Sequence, residues 1–256
     1  MSNHHRHLPP ETLDYIVDLL HDEQETLERC CLISKSWIPR TRKHLFADIK
    51  FFNVWDLEAW KKTFPDPTNS PAYHTRTLLV GCSLDVTAED AEDGGWIQAF
   101  SRVVLLELDA GSMSIGINDF SLAPFRRFSS SLESLRVGLL HIPHLQVFNL
   151  IRFLPLLKDL AMIGFEPDGP TAIAPSTSPA LTGTLELHLL HGMANTARQL
   201  LDLPNGLHFR KLELSWCDEE DARWMEELVV ACSSTLEHLD IACKMNGVVY
   251  SIPPLD

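Results

Sequence analysis

A short apolar unit of the form Leu-x-Leu returns seven times in residues 51–256, and its spacing restricts the fold more than any other feature of the chain. The units are Leu78-x-Val80, Leu106-x-Leu108, Leu135-x-Val137, Leu160-x-Met162, Leu185-x-Leu187, Leu212-x-Leu214 and Leu239-x-Ile241. Their first positions are separated by 28, 29, 25, 25, 27 and 27 residues. Apolar residues two apart share one face of a strand. Five units have another apolar residue three positions earlier: Val103, Leu132, Leu157, Phe209 and Leu236. In the other two, Thr75 and Thr182 stand there. The intervals carry helical spacing: Leu57, Trp60, Lys61 and Phe64; Val147, Leu150, Ile151 and Leu154; Ala197, Leu200 and Leu201; and Met225, Leu228, Val229 and Cys232 after an acidic start at 218–221. Strand, loop, helix and strand at this period predict an α/β fold. Parallel strands stack on a concave side and helices lie outside.

The pattern resembles a degenerate leucine-rich repeat. The fuller signature has Asn or Cys three positions beyond Leu-x-Leu, and Cys217 alone meets it. The other units have Ser83, Gly111, Leu140, Phe165, Leu190 and Lys244 there, so irregular curvature is expected. The alternative is an ordinary α/β domain with parallel strands. Pro- and Ser/Thr-rich residues 166–180 read as a long loop. The sequence runs out soon after the seventh unit without an obvious capping repeat, so a ragged or shortened end is expected.

Residues 8–50 follow a different rule. Leu8-Pro9-Pro10-Glu11 suits a helix start, since proline is tolerated in the first turn. Leu13, Ile16, Val17 and Leu20 share one helical face. Asp22 and Glu25 have the spacing of a capping box for a second helix carrying Leu27, Cys30, Cys31, Leu32 and Ile33. Ser34-Lys35-Ser36-Trp37 breaks the pattern, and Pro39 opens a third helix. Three helices in about 40 residues make a core too small to be stable alone, so the unit needs a partner. That partner is either the rest of the chain, for which the unit would be a cap, or another protein.

Leu8-Pro9-Pro10-Glu11, Ile16, Leu20, Cys31-Leu32-Ile33-Ser34-Lys35-Ser36-Trp37, His44-Leu45-Phe46 and Ile49 stand in an order that resembles an F-box. The pattern is similar to the F-box families expanded in mushroom-forming fungi, with Cys30-Cys31 as a departure. The resemblance implies a three-helix F-box at 8–50 and a repeat domain of about seven strand units at 51–256. It implies a non-catalytic substrate receptor of a Skp–cullin–F-box ubiquitin ligase. The F-box would dock a Skp-type adaptor, and through it a cullin, while the repeats bind a protein substrate for degradation. By motif match, adaptor contact falls on Leu8, Pro9, Leu13, Ile16, Leu27, Leu32, Ile33 and Trp37, some of which would instead form the module's own core. The alternative is a non-degradative interaction or scaffold protein, with or without adaptor binding.

On a strand the residue inside Leu-x-Leu and the one after the pair face away from the core. Those positions include Glu107, Asp109, Arg136, Glu186, His188, Glu213 and Asp240, an acidic set with one fixed cation. Net charge is −14, and all but one unit of it lies in residues 51–256. Such a body repels nucleic acid and anionic lipid and favours a basic protein segment as partner. A generic solvated face is the alternative.

The N-terminus lacks the apolar core of a secretory signal, and the greasiest stretch, residues 139–157, is interrupted by Pro143 and Pro155. The six cysteines form no CxxC pair and read as reduced thiols, mainly buried, in a cytoplasmic or nuclear protein. Catalytic signals fail. Gly111 and Gly116 have the gap of a phosphate loop, but Ile117 and Asn118 follow. Asp90, Glu92 and Gly94 suggest a calcium loop whose twelfth position is Ser101. His188 with His191, and His141 with His144, are three apart, which on a strand puts them on opposite faces. No metal, cofactor or paired nucleophile and base is expected, and the six tryptophans read as packing.

Overall fold

A period of two within each unit and near-constant spacing between units should bring the leucines into lateral register, and they are in register. The computed structural model describes residues 9–81, 95–109, 122–138, 144–164, 181–188, 193–215, 221–245 and 248–252. Among the described residues nine strands form one sheet in sequence order: β1 (Asp48–Phe51), β2 (Thr77–Gly81), β3 (Leu105–Asp109), β4 (Ser134–Gly138), β5 (Asp159–Ile163), β6 (Thr184–His188), β7 (Lys211–Ser215), β8 (His238–Met245) and β9 (Val248–Ile252). The first eight are mutually parallel, and β9 returns antiparallel to β8. Leu78, Leu106, Leu135, Leu160, Leu185, Leu212 and Leu239 are successive cross-strand partners. The second apolar positions, from Val80 to Ile241, form a parallel row. Each side chain therefore packs against its counterpart one strand away. All of these residues up to Leu214 are at most 1% exposed.

The repetition extends to the backbone. The carbonyl of Ala47 accepts hydrogen bonds from the N–H groups of both Arg76 and Thr77. Arg76 O accepts from Val104 and Leu105, Val104 O from Glu133 and Ser134, and Glu133 O from Lys158 and Asp159. Gly183 O serves Arg210 and Lys211, and Arg210 O serves Glu237 and His238. One shared acceptor thus starts strand after strand. The apolar residue three positions before each unit closes the same corner: Val103, Leu132, Leu157 and Phe209 are at most 1% exposed. Thr75 is buried there too, its hydroxyl donating to Phe46 O at 2.9 Å. At the position held by Thr182, the neighbouring Leu181 is buried instead.

The connections carry α4 (Val54–Thr63), α5 (His144–Arg152), α6 (Met193–Leu201) and α7 (Ala222–Cys232), each where apolar spacing predicts a helix. They cover the leucine face, since Leu57, Val147, Leu150, Ile151, Ala197, Leu200, Met225 and Leu228 belong to one core with the strand leucines. In the connection before β2, two short 3-10 turns follow α4, and the described parts of the connections before β3 and β4 carry the 3-10 turns Trp96–Ala99 and Ala123–Ser130. The sequential parallel order is compatible with a solenoid-like α/β arrangement.

Two elements depart from expectation. β1 lies partly inside residues 8–50, pairing Ile49 with Leu78 and Phe51 with Val80, so eight parallel strands form where seven units were read. Its Ile-x-Phe pair has the strand period but not the Leu-x-Leu form. The antiparallel β9 was likewise not read.

Ahead of the sheet stand α1 (Pro10–Leu19), α2 (Gln24–Ile33) and α3 (Ile38–Leu45). The expected capping box at Asp22 and Glu25 is not formed. The helix starts later, with Glu23 at the N-cap and no side-chain cap bond. A capping box does occur at α4, where Asn53 and Asp56 bond reciprocally. The helical module has its own small core of Val17, Leu27, Cys30 and Thr41, apart from the main cluster. A polar staple supplements it. Arg40 grips Asp18 through Nε (2.6 Å) and Nη2, and His44 Nε2 meets the same carboxylate at 2.7 Å, tying α1 to α3. The Arg40 guanidinium, aided by His44 against some desolvation, holds the Asp18 carboxyl well below the usual carboxylate range. A depressed carboxyl adds stability above its unfolded pKa of about 3.9 and loses it as pH falls towards the folded value. Asp18→Asn should therefore lower the module's stability at neutral pH by about 1 kcal/mol and flatten its acid sensitivity below about pH 4. Hydrogen exchange of the α1–α3 amides against pH checks both.

Candidate functional site

Two surfaces carry the side chains singled out by sequence. The first is the helical module. Leu8 lies outside the described residues. Pro9 is exposed, Leu13, Ile16 and Trp37 are half-buried, and Leu27 is 1% exposed. Leu27 is thus core rather than contact surface, because with Cys30 it forms the i, i+3 stripe that α2 turns inward. Leu32 and Ile33, at the end of the same helix, are 88% and 67% exposed. Tyr15 and Leu19 on α1 are exposed as well, and motif matching missed both. They sit two residues on either side of the buried Val17, a period that on a helix points outward. The tryptophans do not all pack: Trp60 and Trp96 join an aromatic cluster with Phe51 and Phe100, but Trp55 is 81% exposed.

The second surface is the sheet face opposite the leucines. Register makes one row of Leu79, Glu107, Arg136, Ala161, Glu186, Glu213 and Asp240. The next row holds Gly81, Asp109, Gly138, Ile163, His188, Ser215 and Ala242. All seven sequence-predicted residues therefore share one face in two adjacent rows. The face is not uniformly acidic. Arg136 Nη2 bridges to Glu186 Oε2 at 2.8 Å, spanning two strands above Ala161. Only a side chain as small as alanine in between leaves that path low and open. Lys211, one row over, pairs with Glu213.

Charge is redistributed accordingly. Burial pushes the Glu186 carboxyl up, but Arg136 and His188 together outweigh it and hold the group below the usual carboxylate range. The Glu186 bond raises Arg136, with Glu107 and Glu213 adding to it. Glu213 raises Lys211.

Around His188 the face becomes a hydrogen-bonded chain. Its Nε2 lies 2.8 Å from Glu186 Oε1, and its Nδ1 contacts the Ser215 hydroxyl. As a metal pair, sequence spacing joins His188 to His191, which lies outside the described residues. The informative partner was Glu186, two positions away on the same face, with Glu213 opposite it across the strands. These three offer ligand atoms within 4.8 Å of one another. The hydroxyl, imidazole and carboxylate also stand in the order of a nucleophile, base and orienting group, which the sequence did not reveal. They lie on an open sheet face whose strand N–H groups are engaged in the ladder.

The phosphate-loop and calcium-loop candidates, His141 and residues 166–180 lie outside the described residues. Cys30, Cys31 and Cys232 are free thiols, and burial pushes Cys31 and Cys232 up, away from the reactive thiolate. Among the described residues no helix is long and apolar enough to cross a membrane. No protein-family model matches the chain, and no curated protein or solved structure matches it.

Proposed function

We propose that the chain is a non-catalytic substrate receptor of a Skp–cullin–F-box ubiquitin ligase, working in the cytoplasm or nucleus. The helical module acts as the F-box, and a leucine-rich-repeat-like solenoid presents the substrate surface. One observation carries the reading. A three-helix unit closes its core with Val17, Leu27, Cys30 and Thr41, yet leaves Leu32 and Ile33 in water at the end of α2. Adjacent large aliphatic side chains at such exposure are what an adaptor would cover. In this reading Leu32 and Ile33 lead the contact. Pro9, Leu13, Ile16 and Trp37 contribute their accessible parts, and Leu27 supports from within.

The sheet face is assigned to the substrate. Two of its carboxylates already have internal cations, so the attraction for a basic segment concentrates at Glu107 and Asp240, flanking the Arg136–Glu186 and Lys211–Glu213 pairs. Glu107→Lys with Asp240→Lys leaves both pairs in place. It should weaken capture of a basic substrate at least tenfold and flatten its salt dependence. Affinity unmoved by this double reversal overturns the assignment.

The degradative role is tested by turnover. Proteins bound through the sheet face should persist longer in cells when Leu32→Asp/Ile33→Asp chain replaces the natural one. Equal lifetimes favour the alternative, an interaction or scaffold protein.

A further inference from the structure

We infer that Glu186, His188 and Glu213 form a binding site for a divalent transition-metal ion of the zinc class on the open face of the sheet. The inference needs only the β6–β7 register and does not depend on adaptor docking.

Strand geometry builds the site. Glu186 and His188, two apart, project from one face of β6, and Glu213 is the cross-strand partner of Glu186 on β7. One imidazole nitrogen and two carboxylate oxygens come within 4.8 Å of one another. Ligands on a tetrahedral zinc ion at bonds of about 2.0–2.2 Å stand about 3.3 Å apart. Side-chain rotation of the order of 1 Å closes the set, leaving an open position towards solvent. Mixed nitrogen and oxygen donors suit zinc-class ions, whereas calcium and magnesium favour all-oxygen sets.

The imidazole is already oriented for the role. Nε2 faces the Glu186 carboxylate at 2.8 Å, a contact that a ring N–H satisfies and that an ion would replace by binding both atoms. On the far side, Nδ1 is held by Ser215. Metal-bound imidazoles carry such a partner on their other nitrogen, where it fixes the ring. Arg136 and Lys211 now neutralise the carboxylates and are the competitors a metal must displace.

The test is zinc titration of the intact chain against a chromophoric chelator. His4, His5 and His7 are replaced by Ala throughout, to remove adventitious binding at the terminus. One equivalent should bind. His188→Gln and Glu213→Gln should each weaken it at least tenfold, with unchanged circular dichroism. Lys211→Met should tighten it, because a competing cation is gone. Failure to compete with a weak chelator, or zinc binding indifferent to both His188→Gln and Lys211→Met, overturns the inference.

Discussion

Replacing Leu32 and Ile33 together by Asp should abolish capture of a Skp-type adaptor and leave the unfolding midpoint of the chain unmoved. Both side chains are mostly in water, at 88% and 67% exposure, so the folded chain alone loses little burial. In a complex the balance reverses. Covering a large aliphatic side chain contributes about 1.5–3 kcal/mol, and a carboxylate in the same interface must be desolvated. Two such changes correspond to at least a hundredfold in affinity. Leu27→Ala is the informative contrast. It should also reduce capture, but by loosening the module's core at a cost of about 2–5 kcal/mol, visible as earlier exchange of α1–α3 amides. Full adaptor capture by the double Asp variant would place the docking surface elsewhere.

The second large effect belongs to the leucine ladder. Leu135→Ala should destabilise the sheet by about 2–5 kcal/mol, measured by denaturant unfolding. Leu135 is 0% exposed and stands between Leu106 and Leu160 in adjacent strands, so the cavity opens against neighbours that the backbone register holds in place. Leu105→Ala, next to Leu106 on β3 and pointing the other way, should cost under about 1 kcal/mol, since Leu105 is only half-buried. The contrast tests which face of the sheet is core. Equal losses would contradict the inward assignment of Leu-x-Leu.

The ladder was legible in the sequence because two periods coincide: two residues within a strand and about 27 between strands. Helices α4 to α7 were legible because their apolar spacing changes to three and four. Ile49 and Phe51 escaped as a strand because a single apolar pair, without the Leu-x-Leu form, merges with the helical motif before it. The α2 cap was misread because residue types at capping-box spacing do not fix where the first turn begins. At the candidate sites, the seven sheet-face residues were placed by alternation alone. Their pairings were not. Arg136 and Glu186 are 50 residues apart in sequence, and their contact depends on the order of three strands and on the small Ala161 between them. Likewise, motif order grouped Leu27 with Leu32, although one helix turns the first inward and the second outward. The acidic face read from composition is thus partly neutralised by cations whose partners only the fold selects.

Adaptor docking by the helical module is tested by size-exclusion chromatography of the intact chain mixed with purified Skp-type adaptor. A one-to-one complex should survive the column and be lost with Leu32→Asp/Ile33→Asp. Elution of the folded chain and the adaptor as separate species would contradict it.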